Sequence, residues 1–385
     1  MIISITEKEE IPSALAQLRA KLGLKAKQEP KFRFYTLYSH LLREDVLQAA
    51  WNLVHRNNGA SGYDGMTFNN ILNSKEGVSG FLKEIRETLL KRTYRADPVK
   101  RVYIPKSDGK LRPLGIPTIK DRVVQAALLL ILEPIFEEDF LESSYGFRPN
   151  KSAHQAIDAM KQAAYEGKLE IYDADLESYF NSIPHENLMK ALQTRVIDQR
   201  VLKLIKMWLR APIWEKGKPM KPNERGTQQG GAISPLLSNL YLHWFDKLFF
   251  SQSGPGTWAK AQIIRYADDF VIMARYMTDK IEKWVERELE GRFRLKINRE
   301  KTRTVDLKKP KSSVNFLGFT MRWTGKYQKK YQIQPMERSL KRARTRIREL
   351  TSPKNGLLSI KQVVERVNRF LIGWGGYFRC AKQSV

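Results

Sequence analysis

A single cysteine, Cys380, occurs in the 385 residues. That scarcity excludes an intramolecular disulfide and any zinc site built on cysteine pairs. Histidine is scarce as well: there are five, and no stretch of the chain supplies a paired histidine metal site. Long apolar runs are missing. The longest, Ala126 to Leu132 with Val123 and Val124 just before it, is far short of the roughly 20 residues that a membrane-spanning helix needs. Met1 to Glu10 contain no basic segment followed by an apolar one, so no signal peptide is expected. The chain therefore reads as cytoplasmic, with no membrane partner.

Above all, the sequence is short of acids. Asp and Glu number 41 against 68 Lys and Arg, for a net charge of +27 and a pI near 10. A surplus of this size is an electrostatic footprint for a polyanion, and nucleic acid is the commonest one. The length suggests two or three packed units rather than one core. No internal repeat or low-complexity segment is present, which argues against solenoids and disordered arrays.

Three divisions are expected: a basic helical extension over residues 1–45, a main body over 46–325, and a basic helical segment over 326–385. Between Lys326 and Arg348 nine residues are Lys or Arg. Asn57 to Gly65 reads as a turn-rich loop, and Val78 to Lys91 as a helix. Val102 to Ile104 and Leu111 to Leu114 read as paired strands around a turn at Ser107–Lys110. Lys120 to Phe136 has helical spacing that Pro134 is expected to end. Val201 to Ala211 reads as a helix and Val314 to Met321 as one strand.

The chemistry concentrates in carboxylates. Ile171 to Leu176 is a strand candidate that puts Asp173 and Asp175 on one face. Ile263 to Arg275 reads as two apolar strands joined at Ala267-Asp268-Asp269. Adjacent acids at the tip of an apolar hairpin are costly without a counter-charge. Mg²⁺ suits them, because it takes a few carboxylate oxygens and keeps sites for substrate phosphates. Nucleotidyl transfer uses two such ions roughly 4 Å apart, which calls for a further carboxylate. Asp175 supplies it, with Asp173 in reserve.

Three other segments bear on the reading. Gly226 to Pro235 contains Gln229-Gly230-Gly231, where glycines permit close approach by a ligand, and it opens a helix at Pro235. A hairpin would bring Lys106 and Arg112 together as a triphosphate clamp, or leave them as solvated charges. In Ser144-Tyr145-Gly146-Phe147-Arg148-Pro149, Arg148 either contacts a template phosphate or the segment forms a packed corner.

In order, these stretches resemble the reverse transcriptases encoded by bacterial group II introns. The matching residues are Ile104-Pro105-Lys106 through Arg112-Pro113-Leu114-Gly115-Ile116-Pro117, Asp121 to Gln125, Tyr145 to Pro149, Asp173 to Leu176, Gln229 to Pro235, Tyr266-Ala267-Asp268-Asp269, Lys301-Thr302, Phe316 to Phe319, and Gly373-Trp374-Gly375-Gly376-Tyr377-Phe378. The resemblance implies an α+β right-hand polymerase with fingers and palm over 46–325 and a helical thumb over 326–385. It implies an RNA-directed DNA polymerase that adds dNTPs to a DNA or RNA primer on an RNA template. Asp175, Asp268 and Asp269 would hold two Mg²⁺ ions, with Leu176 beside them and Mn²⁺ as a substitute. Lys106 and Arg112 would hold the triphosphate, with Gln229 and Gly230 lining the pocket. Phe180 would exclude a ribose 2′-OH, with Tyr179 the next candidate for that task. Phe316, Leu317 and Gly318 would sit under the primer end, and Arg338 and Arg342 would grip template or group II intron RNA.

Gln228 departs from the proline usual before Gln-Gly-Gly, which predicts a less rigid loop. The thumb reads as shortened, with salt-sensitive binding expected, and no nuclease of the His-Asn-His type is expected. The resemblance also admits an intron maturase acting mainly by RNA binding, and a domesticated relative serving phage defence or CRISPR spacer acquisition.

Overall fold

The computed structural model describes residues 11–105, 109, 111–323, 331–353 and 358–382. Ten strands are described: β1 Val99–Pro105, β2 Leu111–Ile116, β3 Glu170–Ala174, β4 Ile213–Trp214, β5 Gln262–Tyr266, β6 Asp269–Ala274, β7 Arg303–Asp306, β8 Ser313–Phe316, β9 Phe319–Trp323 and β10 Tyr331–Pro335. Helices fill most of the remainder. The chain divides into two compact units, each assembled from separated stretches. The first takes residues 1–151, 176–248 and 285–297, and the second takes 152–175, 249–284 and 298–385.

The first unit is organised around the helix Ile119–Glu137. Its middle, from Val123 to Leu132, is apolar on nearly every side and wholly buried, as a helix with no polar face must be. Thr118 caps it by accepting the Asp121 N–H. Pro134 was expected to end this helix, but the helix runs through it. Proline removes the hydrogen bond to the carbonyl four residues earlier, which is Leu130. That carbonyl accepts instead from Arg19 Nη1 at 2.5 Å, while Arg19 Nη2 pairs with Glu133 at 2.7 Å. A side chain from the distant helix Ser13–Gln28 thus satisfies the group that the proline orphans. In the same unit β1 and β2 form an antiparallel hairpin, with β4 parallel on the other edge of β1.

The second unit carries a four-stranded sheet in the order β5-β6-β3-β7, all neighbours antiparallel. Phe270 to Ala274 of the inner strand β6 are all buried, as a central strand covered on both faces requires. The helix Ala153–Tyr165 packs against β5 and β6. A second sheet has the order β10-β9-β8. The single strand expected over 314–321 is in fact the β8–β9 hairpin. Leu317 and Gly318 turn it in left-handed backbone, at φ 49° and 82°. The helices Glu337–Leu350 and Ile360–Phe378 follow and pack on each other.

Candidate active site

The β5–β6 hairpin pairs Tyr266 with Asp269, so Ala267 and Asp268 form a two-residue turn. Such tight turns favour left-handed backbone at their first position, and Ala267 has it at φ 59°. For a residue with a Cβ this costs about 1–2 kcal/mol. Arg265, fully buried, donates Nη1 to the Ala267 carbonyl at 2.9 Å and braces the turn. Antiparallel register does the rest. β3 pairs Ala174 with Phe270, so one step further along, Asp175 and Asp269 stand at adjacent strand ends.

Asp175 is tied down from several directions. Its N–H donates to Thr302 Oγ1 at 3.2 Å and its carbonyl accepts the Asn298 N–H at 2.8 Å. Its carboxylate pairs with Lys301 Nζ at 3.3 Å, both side chains being partly solvated. Asp173 sits directly across from Arg303 and pairs with it at 3.2 Å. Burial pushes the Asp173 carboxyl above its ordinary pKa, with the Arg303 hydrogen bond opposing. Asp173 is thus a cross-strand partner, and Asp175 meets a lysine that solvent can take away.

Among the described residues no three His, Cys, Asp or Glu side chains are gathered closely enough to hold a metal. The donor set nonetheless fits a hard divalent ion. Asp175, Asp268 and Asp269 offer only carboxylate oxygens, and Lys301 already balances one of them. Leu176 has a hydrocarbon side chain, buried here, so the only ligand it could offer is its backbone carbonyl.

The glycine-rich loop belongs to the first unit and is pressed onto β2. Gln229 accepts the Gly115 N–H at 2.9 Å. Gly230 has φ 130°, and a Cβ there would lie 2.4 Å from the Gly115 carbonyl oxygen, so only glycine fits. Gln228, expected to loosen the loop, anchors it by donating Nε2 to the Trp208 carbonyl at 3.2 Å. Phe180 is nearly buried and packs edge-on to Phe147 at 6.3 Å between ring centroids. Tyr179, the reserve candidate, spends its hydroxyl on the Ser238 carbonyl at 2.6 Å. Arg112 is exposed on β2, opposite Ile104. Lys106 lies outside the described residues.

Arg148 does not face a template. Its side chain is 3% exposed; Nε and Nη2 bond Glu137, and Nη1 bonds the carbonyls of Leu141 and Ser144 at 2.6 and 2.8 Å. The guanidinium also lies over the Phe140 ring at 5.4 Å. The packed corner is the correct reading, because these contacts consume the donors that a phosphate would need. The partner Glu137 lies 11 residues away and carries no sequence signal.

In the second unit, Phe316, Leu317 and Gly318 form the tip of the β8–β9 hairpin. Tyr377 donates its hydroxyl to the Leu317 carbonyl at 2.9 Å, and Phe319 stacks on Tyr377 with centroids 5.5 Å apart. Gly318 accepts from Met336 N–H at 2.8 Å. The hairpin tip is therefore fastened to the last long helix, which sequence reading missed although Tyr377 lies in the Gly-Trp motif. Arg338 and Arg342 are exposed on the helix Glu337–Leu350.

Strand-end carboxylates on an antiparallel sheet, in a chain that also carries a glycine-rich loop in its first unit and paired helices at the end of its second, are the parts a nucleic-acid polymerase uses. Residues 104–321 match the family model described as Reverse transcriptase (RNA-dependent DNA polymerase), and residues 340–385 match the Group II intron, maturase-specific domain. The chain belongs to the reverse transcriptases, on their group II intron branch. Protein YkfC of Escherichia coli (strain K12) is 35% identical over 324 residues, covering 75% of this chain and 84% of that one. The Group II intron-encoded protein LtrA of Lactococcus lactis subsp. cremoris is 37% identical over 216 residues, covering 56% of this chain and 35% of LtrA. The match to LtrA thus spans about a third of that protein. A solved structure entitled Partial Cas6-RT-Cas1--Cas2 complex is 20% identical with a TM-score of 0.39, covering 67% of this chain and 43% of that one. No described helix is long and apolar enough to cross a membrane.

Proposed function

We propose that this chain adds dNTPs to a primer 3′ end on an RNA template, with Asp175, Asp268 and Asp269 as ligands to two Mg²⁺ ions. The observation that carries the reading is the register that brings the end of β3, just before Asp175, beside the start of β6 at Asp269, with Asp268 in the β5–β6 turn. Bound there, the ions supply charge neutralisation for the attacking oxygen and the leaving pyrophosphate. The chain's own work is positioning and electrostatics. Asp175 releases Lys301 to take up its ligand role, and Leu176 contributes at most its carbonyl.

The remaining assignments follow the same reading. Arg112, with Lys106, holds the triphosphate; Gln229 and Gly230 line the nucleotide pocket; Phe180 excludes the 2′-OH. Phe316, Leu317 and Gly318 support the primer end, held by the Tyr377 bond. Arg338 and Arg342 contact template phosphates, for which an exposed helix with few acids is suited.

A second activity, assistance to the splicing of a group II intron RNA, is supported by the maturase-specific match over residues 340–385 and by this same basic helix. Extension of a primer on RNA with dNTPs and Mg²⁺ tests the main reading. Absence of DNA product, under conditions where the protein binds the primer–template, overturns it.

A further inference from the structure

The helix Gln199–Arg210 has a sharply divided surface. Val201, Leu202, Leu204, Ile205, Trp208 and Leu209 are buried. The charged residues on the opposite side are Arg200, Lys203, Lys206 and Arg210, all exposed and all basic. No acid lies within the helix, and Asp198 before it is consumed as a cap. Its carboxylate accepts from the N–H groups of Tyr38, Arg200 and Val201.

This ridge runs into a concavity at each end. Near its start a hollow of about 220 Å³ adds Arg92 and Arg95 to Arg200 and Lys203, with no acid in its lining. At its far end a larger hollow of about 620 Å³ adds Arg225 and Arg294 to Arg210. Two acids lie there, Glu186 and Glu224; Glu186 is paired with Lys190 at 2.7 Å. Among the described residues, none of these eight cations has a carboxylate partner within 4.0 Å. All eight belong to the first unit, and none is assigned above to catalysis.

A separate backbone observation points the same way. Arg92 and Arg294 each stand one residue past a helix C-cap, with φ at 61° and 51°. Glycine is the usual occupant of that left-handed position. Here the position carries an arginine in both hollows, so a strained site is used to place a guanidinium.

We infer that this track binds the phosphodiester backbone of a nucleic-acid strand, at a site additional to the polymerase site. From Arg200 to Arg210 the helix rises about 15 Å, or roughly four phosphates at 3.4 Å per nucleotide. Six of the eight cations are arginine, which forks onto phosphate oxygens. A membrane surface would call for apolar side chains between the charges, and only the half-buried Met207 stands on this face.

Two variants of the full chain test the inference. One is Arg200→Gln/Lys203→Gln/Lys206→Gln/Arg210→Gln, and the other is Arg92→Gly/Arg294→Gly, in which glycine relieves the backbone and the melting temperature should hold or rise. Binding is read by fluorescence anisotropy against salt, with single-stranded RNA, RNA duplex and single-stranded DNA of one sequence, and with polyglutamate. The quadruple variant should lose affinity on the order of a hundredfold near 0.1 M salt. Its log–log salt slope on single strands should fall by about 3. The glycine variant should show a smaller loss of the same kind. The oligonucleotide that registers the loss names the strand type, and extension on saturating primer–template should be unchanged. Unaltered nucleic-acid affinity and slope would overturn the proposal. So would a loss confined to polyglutamate, which would name an acidic protein, or a parallel loss of extension at saturation, which would return these cations to the polymerase site. The anisotropy arms need no polymerisation, so failure of the catalytic reading registers separately.

Discussion

Replacing Arg148 with alanine should destabilise the first unit without touching template recognition. The side chain holds four hydrogen-bond donors against Glu137 and the carbonyls of Leu141 and Ser144, at 3% exposure. Removing one partner of a buried pair costs about 3–5 kcal/mol, because the other charge is left uncompensated. For a unit of this size each kcal/mol shifts the melting temperature by roughly 2–4 °C, so a fall of about 6–20 °C is expected. The loss should be larger at pH 8 than at pH 5. Burial already pushes the Glu137 carboxyl above its ordinary pKa while Arg148 opposes that shift. Without the arginine, Glu137 protonates more readily, and acid removes the uncompensated charge. Melting followed by circular dichroism at both pH values, with primer–template Kd measured on the folded variant at low temperature, separates the two roles. An unchanged melting temperature together with a Kd weakened tenfold would refute the structural assignment and restore Arg148 to the template.

Burial raises the Asp121 carboxyl to about 6 against an ordinary 3.8, with the Tyr94 hydroxyl and Asp97 N–H bonds opposing. A raised carboxyl contributes stability that is fully present below about 3.8 and lost as pH rises through about 6, worth about 3 kcal/mol. The stability difference between the native protein and Asp121→Asn should therefore change by about that amount between pH 4 and 7, read by urea titration; a difference independent of pH contradicts it. Lys301→Met removes the cation that competes for Asp175, so the half-saturating Mg²⁺ concentration for extension should drop, by up to about fivefold for so exposed a pair. A higher Mg²⁺ requirement would show that Lys301 assists rather than competes. Phe180→Ala should raise ribonucleotide incorporation relative to deoxyribonucleotide by about tenfold or more. Unchanged discrimination moves the sugar contact elsewhere, and not to Tyr179, whose hydroxyl is engaged inside the unit.

The carboxylate hairpin was the most legible part of the molecule. Short continuous apolar runs on both sides of Ala267-Asp268-Asp269 specify strand, turn and strand, and local patterning of this kind survives tertiary packing. Pro134 misled because its cost is settled by Arg19, more than a hundred residues away. Arg148 was ambiguous for the same reason, since Glu137 decides its role and nothing in the local sequence announces the pair. The β8–β9 turn was hidden by Leu317, a residue that rarely takes left-handed backbone. The interleaving of the two units was equally hidden, because strand pairing between residues 170 and 306 is fixed by the fold and not by composition. The basic ridge on Gln199–Arg210 did leave a signal, in cations spaced three or four residues apart, but only burial of the other face gives that spacing a meaning.

Asp175, Asp268 and Asp269 are proposed to act together as the metal site of an RNA-templated polymerase. The most direct test is Mg²⁺-dependent primer extension on RNA by the intact chain and by Asp175→Asn and Asp269→Asn, each at saturating primer–template. The expected result is DNA product from the intact chain, a fall of about two to three orders of magnitude or more in each variant, and primer–template affinity that is not weakened. Full activity in either variant, or no product from the intact chain while it binds the primer–template, would contradict it.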